Sequence, residues 1–155
     1  MSNPIGIDLT AIDTTAEFRL GSVFTHETSA GTKKYKYVQY DAASAATAGV
    51  AGEAVYYVKP ATSVTGTIVT SDISDSDSVG AGILQSSLTD NAYGWIQVQG
   101  IATMSIALTS GADGNILTAV GAGDGTLAIG AAATNSFCAT AIDASAKIIM
   151  CHFPH

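Results

Sequence analysis

Apolar and polar residues alternate most clearly between residues 93 and 109. After Trp95, the even-numbered positions are mainly apolar and the odd-numbered positions are mainly polar. The even-numbered set, or parity, is Ile96, Val98, Gly100, Ala102, Met104, Ile106 and Leu108. The odd-numbered set is Gln97, Gln99, Ile101, Thr103, Ser105, Ala107 and Thr109. Period two is typical of β-strands with one buried face. A glycine inside a strand often marks a bulge. The segment therefore predicts two consecutive strands, or one long strand bent at Gly100.

Shorter apolar segments, separated by turn residues, recur along the rest of the chain. The other segments that predict strands are residues 18–24, 35–40, 54–58, 65–70, 79–85, 116–120, 126–129, 137–142 and 147–153. Polar turns are expected at residues 26–31 and at Asp124-Gly125, each closing a hairpin. One short helix is expected at residues 41–48, with Asp41 as its N-cap and Gly49 as its stop.

These elements predict an all-β fold: a single β-sandwich or barrel-like domain of short antiparallel strands, with at most one short helix. The chain has 155 residues, which suits one domain. Residues 1–17 show no clear period and predict an extended N-terminal arm. The β-rich domain is then expected to span residues 18–155.

The composition changes the expected surface. Charged residues make up 12% and hydrophobic residues 47%, so much of the outside must be small and neutral. Such a surface suits packing against other copies or another protein, although an ordinary Ala- and Gly-rich β-protein has the same composition. The net charge of -7 makes nucleic acid an unexpected partner. The basic cluster Lys33-Lys34-Tyr35-Lys36 is interpreted as a solvated hairpin end.

The sequence predicts neither a membrane span nor a secretory signal peptide. No charged residue lies between Asp90 and Asp113, a length that a membrane span could use, but the alternation indicates strands instead. The first 20 residues do not resemble a secretory signal peptide. The product is therefore expected to stay in the cytosol unless it leaves as part of a particle.

Candidate chemistry is sparse, and neither enzymatic activity, a cofactor nor a metal is expected. Cys138 and Cys151 are interpreted as buried thiols, with a disulfide as the alternative. The acidic segment with Asp72, Asp75 and Asp77 is interpreted as a solvated loop, with divalent-cation binding as the alternative. The carboxyl-terminal Cys-His-Phe-Pro-His lacks four convergent zinc ligands.

A set of short motifs resembles a known family. The motifs are Phe18-Arg-Leu-Gly21, the strand from Gly31 to Val38, the Ala-rich turn and Val-rich strand from Ala42 to Val58, Tyr93-Gly-Trp-Ile-Gln-Val-Gln-Gly100, and Ile129-Gly-Ala131. Together they resemble the decoration (cement) proteins that bind the outside of tailed-bacteriophage heads. The resemblance spans about residues 18 to 150 and covers neither the first 16 residues nor the carboxyl-terminal pentapeptide.

The resemblance implies a virion protein on the outer surface of the capsid. Its partners would be the major capsid protein and itself, as a homotrimer at local threefold positions that stabilises the shell against the internal pressure of DNA. The expected capsid-binding residues lie in or next to the arm: Ile5, Ile7, Leu9, Ile12 and Phe18. Tyr93 and Trp95 are expected in trimer or core packing. A fibre module and a glycan-binding β-sandwich using Tyr35, Tyr37, Tyr56 and Tyr57 are the alternatives.

Overall fold

A computed structural model describes residues 6–42, 48–59, 66–131, 133 and 135–155. It is all-β, with 47% of residues in strands and 2% in helix, which confirms the predicted fold class. The strands form one ten-stranded sheet. Their bounds are β1 Val23–Thr28, β2 Gly31–Tyr40, β3 Ala54–Val58, β4 Ile68–Thr70, β5 Ser76–Leu84, β6 Tyr93–Thr103, β7 Ile116–Thr118, β8 Ala128–Ile129, β9 Phe137–Asp143 and β10 Ile148–His152.

The pairings of five strands return to their starting point. β2 pairs with β4 in parallel, and antiparallel pairings then lead from β4 to β3, from β3 to β5, from β5 to β6 and from β6 back to β2. This closed ring is the barrel-like part of the fold. β1 pairs with β2, and β10, β9, β7 and β8 extend from β6 in that order. We call these last four strands the wing.

A single large core joins the barrel to the wing. It includes Val38, Tyr56 and Ile96 from the barrel strands and Leu117 and Ile149 from the wing. The apolar parity of β6 faces this core, because Ile96, Val98 and Ala102 are all buried. The prediction of which parity faces the core is therefore confirmed for β6.

The side chains of the other parity of β6 are more buried than the alternation indicates. Trp95 is 2% exposed and Gln97 is 3% exposed. The Gln97 Nε2 atom donates hydrogen bonds to the carbonyl oxygens of Gln99 and Ile101, at 3.1 and 2.9 Å. A buried amide needs such partners, so β6 is buried on both faces near its start.

β6 is one strand bent at Gly100, which has φ +97°. A Cβ atom on Gly100 would lie 2.7 Å from the carbonyl oxygen of Thr32 in the neighbouring β2. Only glycine fits a left-handed conformation with so close a backbone contact. The strand ends at Thr103, so Ile106 and Leu108 continue the alternating pattern without belonging to it.

The prediction of a turn over residues 26–31 is wrong in its length, because the observed turn is shorter. β1 continues to Thr28 and β2 starts at Gly31, with these two residues paired across a two-residue turn. The Thr32 hydroxyl donates to the Glu27 carboxylate across the strands at 2.9 Å. Cross-strand polar pairs of this kind stabilise a hairpin whose residues look like a loop in the sequence.

The interpretation of the basic cluster as solvated is wrong for Lys36, which is 8% exposed. Its Nζ atom donates to the Tyr57 hydroxyl at 3.1 Å and to the Gly66 carbonyl at 2.8 Å, and it lies 5.0 Å from the centre of the Tyr57 ring. Burial lowers the pKa of this ammonium group. Hydrogen bonds and a ring face thus replace water around the charge.

Of two further predicted elements, the acidic loop differs from the structure, and the short helix at residues 41–48 cannot be compared with it. Within the acidic segment a short 3-10 helix, Ile73–Asp75, replaces the loop, and the side chain of Asp72 caps it by accepting from the backbone N–H of Ser74. The short helix expected at residues 41–48 falls mainly on residues 43–47, which lie outside the described residues.

Cys138 and Cys151 are both free and buried, as predicted for structural thiols. Burial raises the pKa of the Cys138 thiol to about 12 and that of Cys151 higher still. A thiol kept protonated by its surroundings is a weak nucleophile. Both side chains therefore serve as small apolar groups of the core.

Candidate functional site: the arm and the aromatic cluster

Tyr35, Tyr37 and Trp95 form an aromatic cluster on the face of the barrel opposite the core. Tyr37 of β2 pairs directly with Trp95 of β6, and residues paired in an antiparallel ladder point to the same side. Each of the three side chains is at most 2% exposed. Period two therefore places Val38 in the core and Tyr37 in this second cluster.

The residues that cover the aromatic cluster come largely from the amino-terminal part of the chain. Leu9 is buried in it, and the partly buried residues packed against it are Ile7, Phe18, Leu20, Phe24 and Tyr93. The Phe18 ring lies edge-on to both Tyr37 and Trp95, with centroid distances of 5.3 Å. This spacing is favourable for aromatic pairs. The arm is thus folded onto its own barrel.

Polar contacts fix the arm in register. Asp13 and Tyr93 form an antiparallel bridge, in which each backbone N–H donates to the other residue's carbonyl at 3.0 and 2.8 Å. The Tyr37 hydroxyl donates to Asp13 Oδ2 at 2.5 Å and accepts from the Glu17 backbone N–H at 3.2 Å. Burial and the Asp13 carboxylate raise the pKa of Tyr37 to about 12. Asp13 is therefore the polar anchor of the arm.

The Trp95 Nε1 atom is buried and has no hydrogen-bond partner among the described residues.

The structure brings five of the seven predicted site residues together. Leu9 and Trp95 are buried in the cluster, and Ile7, Phe18 and Tyr93 are half-buried against it. Ile12 is 55% exposed and stays apart. Ile5 lies outside the described residues.

Sequence reasoning missed the two residues at the centre of the site. Tyr37 and Asp13 connect the arm to the barrel through the hydroxyl–carboxylate bond. Tyr35 and Tyr37 share a parity in β2, a signal that indicates one common face. Nothing in the sequence indicates that the acid comes from the arm, because 24 positions separate the two partners.

Three of the four tyrosines proposed for the glycan-binding alternative are not available to a sugar. Tyr35, Tyr37 and Tyr56 are at most 1% exposed. The Tyr56 hydroxyl donates to the carbonyl of Gly123 inside the domain, at 2.9 Å. Tyr57 is half-buried, and its hydroxyl donates to the carbonyl of Pro154 at 2.8 Å. Stacking on a sugar needs an exposed ring face, which the first three lack.

The described part of the chain contains no group of three or more His, Cys, Asp or Glu side chains placed to hold a metal ion. Within the same residues, no helix is long and apolar enough to cross a membrane.

Comparison of the chain with protein-family models, with curated proteins and with solved structures returned no match.

Proposed function

We propose that the chain is a decoration protein of a tailed-bacteriophage head. In this proposal it binds the major capsid protein on the outer surface of the capsid, as a homotrimer at local threefold positions. The observation that supports this proposal best is that two motifs distant in sequence lie together in the structure. Phe18-Arg-Leu-Gly21 and Tyr93-Gly-Trp95, two motifs of the resemblance, are far apart in sequence but meet in one cluster, with 5.3 Å between the Phe18 and Trp95 ring centres.

The proposed mechanism is physical and requires no catalytic residue. A protein that binds only the assembled lattice stabilises that lattice by mass action, by about 2.7 kcal/mol per site at 100 times its dissociation constant. Three linked contacts per trimer raise the effective affinity further. The net charge of -7 fits an outer face that is kept away from DNA.

The arm is the proposed capsid contact, and its packing limits how it can act. Leu9 is occupied inside the aromatic cluster, whereas Ile12 is 55% exposed on the outward side of the same segment. A contact through Ile12 leaves the arm seated on the barrel. We therefore propose that the capsid binds the outward side of a docked arm rather than a released one.

Co-sedimentation with undecorated heads of the phage that encodes the protein tests this proposal. We expect saturable pelleting of the full chain. Deletion of residues 1–17 also uncovers the aromatic cluster, so a point variant is cleaner. Ile12→Asp should abolish or strongly reduce pelleting, because it places a carboxylate in an apolar contact.

The matched control is Val50→Asp, since Val50 is 49% exposed but does not belong to the arm. It should pellet like the unchanged chain. Equal pelleting of the Ile12 and Val50 variants would contradict the role of the arm. No pelleting of the full chain would contradict the proposal as a whole and favour the fibre module.

A further inference from the structure

A groove lies between the end of β5 and the bent strand β6. Its volume is about 440 Å³, within the range of about 300–1,000 Å³ that is typical of small-ligand sites. The described residues of the arm, 6–17, do not line it. The lining residues that determine its chemistry are Lys33, Ala51, Ile83, Gln85, Gln97 and Ile101.

Gln97 leaves a hydrogen-bond acceptor open to this groove. Its Nε2 atom donates to the carbonyl oxygens of Gln99 and Ile101, and because both partners can only accept, the orientation of the amide is fixed. The Oε1 atom accepts no hydrogen bond from the described residues, although the side chain is only 3% exposed. It is not one of their fully buried unpaired atoms, so it opens onto the groove. A largely buried side chain with an unpaired acceptor favours a ligand that donates.

Gln85 repeats this arrangement on the β5 side of the groove. Its Nε2 atom donates to the Ile83 carbonyl at 3.0 Å, and its Oε1 atom accepts nothing from the described residues. Both glutamine side chains therefore spend their donors on the protein's own carbonyls. The groove is left with two amide oxygens that accept from N–H or O–H groups.

Lys33 supplies the charge of the groove. It is the only charged residue among the described residues that line it. Its ammonium group forms no hydrogen bond or ion pair with the part of the chain that the structure describes. Glu53, the nearest acid in sequence to the groove wall at Gly52, lines a different cavity, and its Oε2 atom accepts from the Val50 N–H at 3.0 Å. The positive charge of Lys33 is therefore not neutralised in the groove.

We propose that this groove binds a short peptide segment of another protein that carries an acidic side chain. The carboxylate accepts from the Lys33 ammonium group, a charge-assisted hydrogen bond. Backbone N–H groups of the segment donate to the oxygens of Gln85 and Gln97. Apolar side chains next to the acid lie against Ile83 and Ile101, which form the apolar wall of the groove.

The three polar groups together favour this class of ligand over others. A metal ion or an amine suits the two amide oxygens but is repelled by Lys33. A fully ionised phosphomonoester suits Lys33 but has no donor for the oxygens, and a neutral sugar has donors but no charge for Lys33. The net charge of -7 opposes an acidic ligand only weakly, because charges more than about 8 Å away are screened at physiological salt.

Amide NMR of the full chain tests the inference with three blocked tripeptides: acetyl-Val-Asp-Val-amide, acetyl-Val-Asn-Val-amide and acetyl-Val-Lys-Val-amide. The blocked ends leave the side chain as the only charge. The Asp peptide should shift the amide signals of Gln97 and Ile101 saturably, in the millimolar range expected for so small a ligand. The Asn peptide keeps the shape and the N–H donors and should bind about fivefold more weakly, the effect of one surface ion pair.

Lys33→Gln should weaken binding of the Asp peptide about fivefold and remove its preference over the Asn peptide. Lys34→Gln is the matched control, because Lys34 is the next residue of β2 but does not line the groove. It should bind like the unchanged chain. Ala51→Glu, at an exposed position of the groove wall, should weaken binding of the Asp peptide but not of the Lys peptide. The dispersion of the amide signals shows whether each variant is folded.

The absence of saturable shifts with the Asp peptide would overturn the inference. Equal affinities for the Asp and Asn peptides, or equal losses in the Lys33 and Lys34 variants, would overturn it as well. The inference goes beyond the proposed function and does not rest on it, since the measurement uses no heads. Its failure would leave the predicted pelleting on heads untouched.

Discussion

At the scale of single residues, the burial of Trp95 is the feature that links the arm to the barrel. Its ring contacts Phe18 and Tyr37 at centroid distances of 5.3 and 5.2 Å. It is also the only tryptophan in the sequence. Its fluorescence therefore reports on one place in the molecule, the surface under the arm.

Replacement of Leu9 by alanine should loosen the arm without unfolding the barrel. Leu9 is 4% exposed within the aromatic cluster, and truncation of a buried leucine costs about 2–5 kcal/mol in a rigid core. The arm can detach locally, so we expect about 2 kcal/mol at most, by local opening. The measurement is the Trp95 emission maximum, which should move to longer wavelength.

Ile12→Ala is the control for this experiment, because Ile12 is 55% exposed in the same segment. It should leave the emission maximum and the urea transition unchanged. An unchanged emission maximum in the Leu9 variant would show that the arm does not depend on this contact.

The Tyr37 hydroxyl should make arm docking sensitive to alkaline pH. Burial, followed by the hydrogen bond to Asp13, raises the pKa of Tyr37 from its ordinary value of 10.0 to about 12. A tyrosine whose folded pKa is raised contributes stability that is fully present below its unfolded pKa and is lost as pH rises through its folded pKa. We therefore expect stability to fall between pH 10 and pH 12.

The difference between the unchanged chain and Tyr37→Phe isolates this effect, since other buried tyrosines titrate in both proteins. The free energy of unfolding, measured by urea titration at each pH, should fall less steeply in the variant. Parallel pH profiles for the two proteins would contradict the assigned role of Tyr37.

At the scale of elements, short apolar segments bounded by turn residues predicted β3, β9 and the hairpin of β7 with β8. Alternation predicted either two consecutive strands or one long strand bent at Gly100 for the segment that contains β6, and the structure has one strand there. Alternation could not predict that β6 is covered on both faces at Trp95. That coverage comes from a segment about 80 positions earlier, and local periodicity holds no information about such contacts.

Two short-range features also escaped the sequence reasoning. The residues of β1 look like a turn because His26, Glu27 and Thr28 are polar, but cross-strand pairing with β2 keeps them extended. Lys36 looks solvated by its charge, but the ring and hydroxyl of Tyr57 surround it. In both cases a tertiary partner overrides the local preference.

Gly100→Ala tests the bend of β6. The substitution places a side chain in a left-handed conformation and brings its Cβ to 2.7 Å from the Thr32 carbonyl oxygen. Gly114 also has positive φ, but a Cβ there meets nothing within 4 Å. We expect Gly114→Ala to cost about 1 kcal/mol of stability and Gly100→Ala about 3 kcal/mol.

The urea midpoints of these two variants separate the conformational cost from the backbone clash. Equal costs would mean that β2 moves aside without loss of free energy. The close contact between Gly100 and Thr32 would then not be what requires glycine at this bend.

At the scale of the whole molecule, the fold covers one face of the barrel and leaves apolar side chains exposed on the wing. The arm closes over the aromatic cluster, whereas Ile116, Phe137 and Ile142 are exposed on β7 and β9. The composition predicted a neutral, flat exterior, but it could not locate the apolar part, because strand order decides which residues become neighbours. The proposed partner likewise rests on the motif residues rather than on composition.

We propose that this chain stabilises a phage head by binding its outer surface. The most direct test is the temperature at which DNA-filled heads release their genome, measured with and without saturating protein and with Val50→Asp and Ile12→Asp as a matched pair. We expect a higher release temperature with the unchanged chain and with Val50→Asp, and little or no increase with Ile12→Asp. A release temperature that does not change with saturating unchanged chain would contradict this proposal.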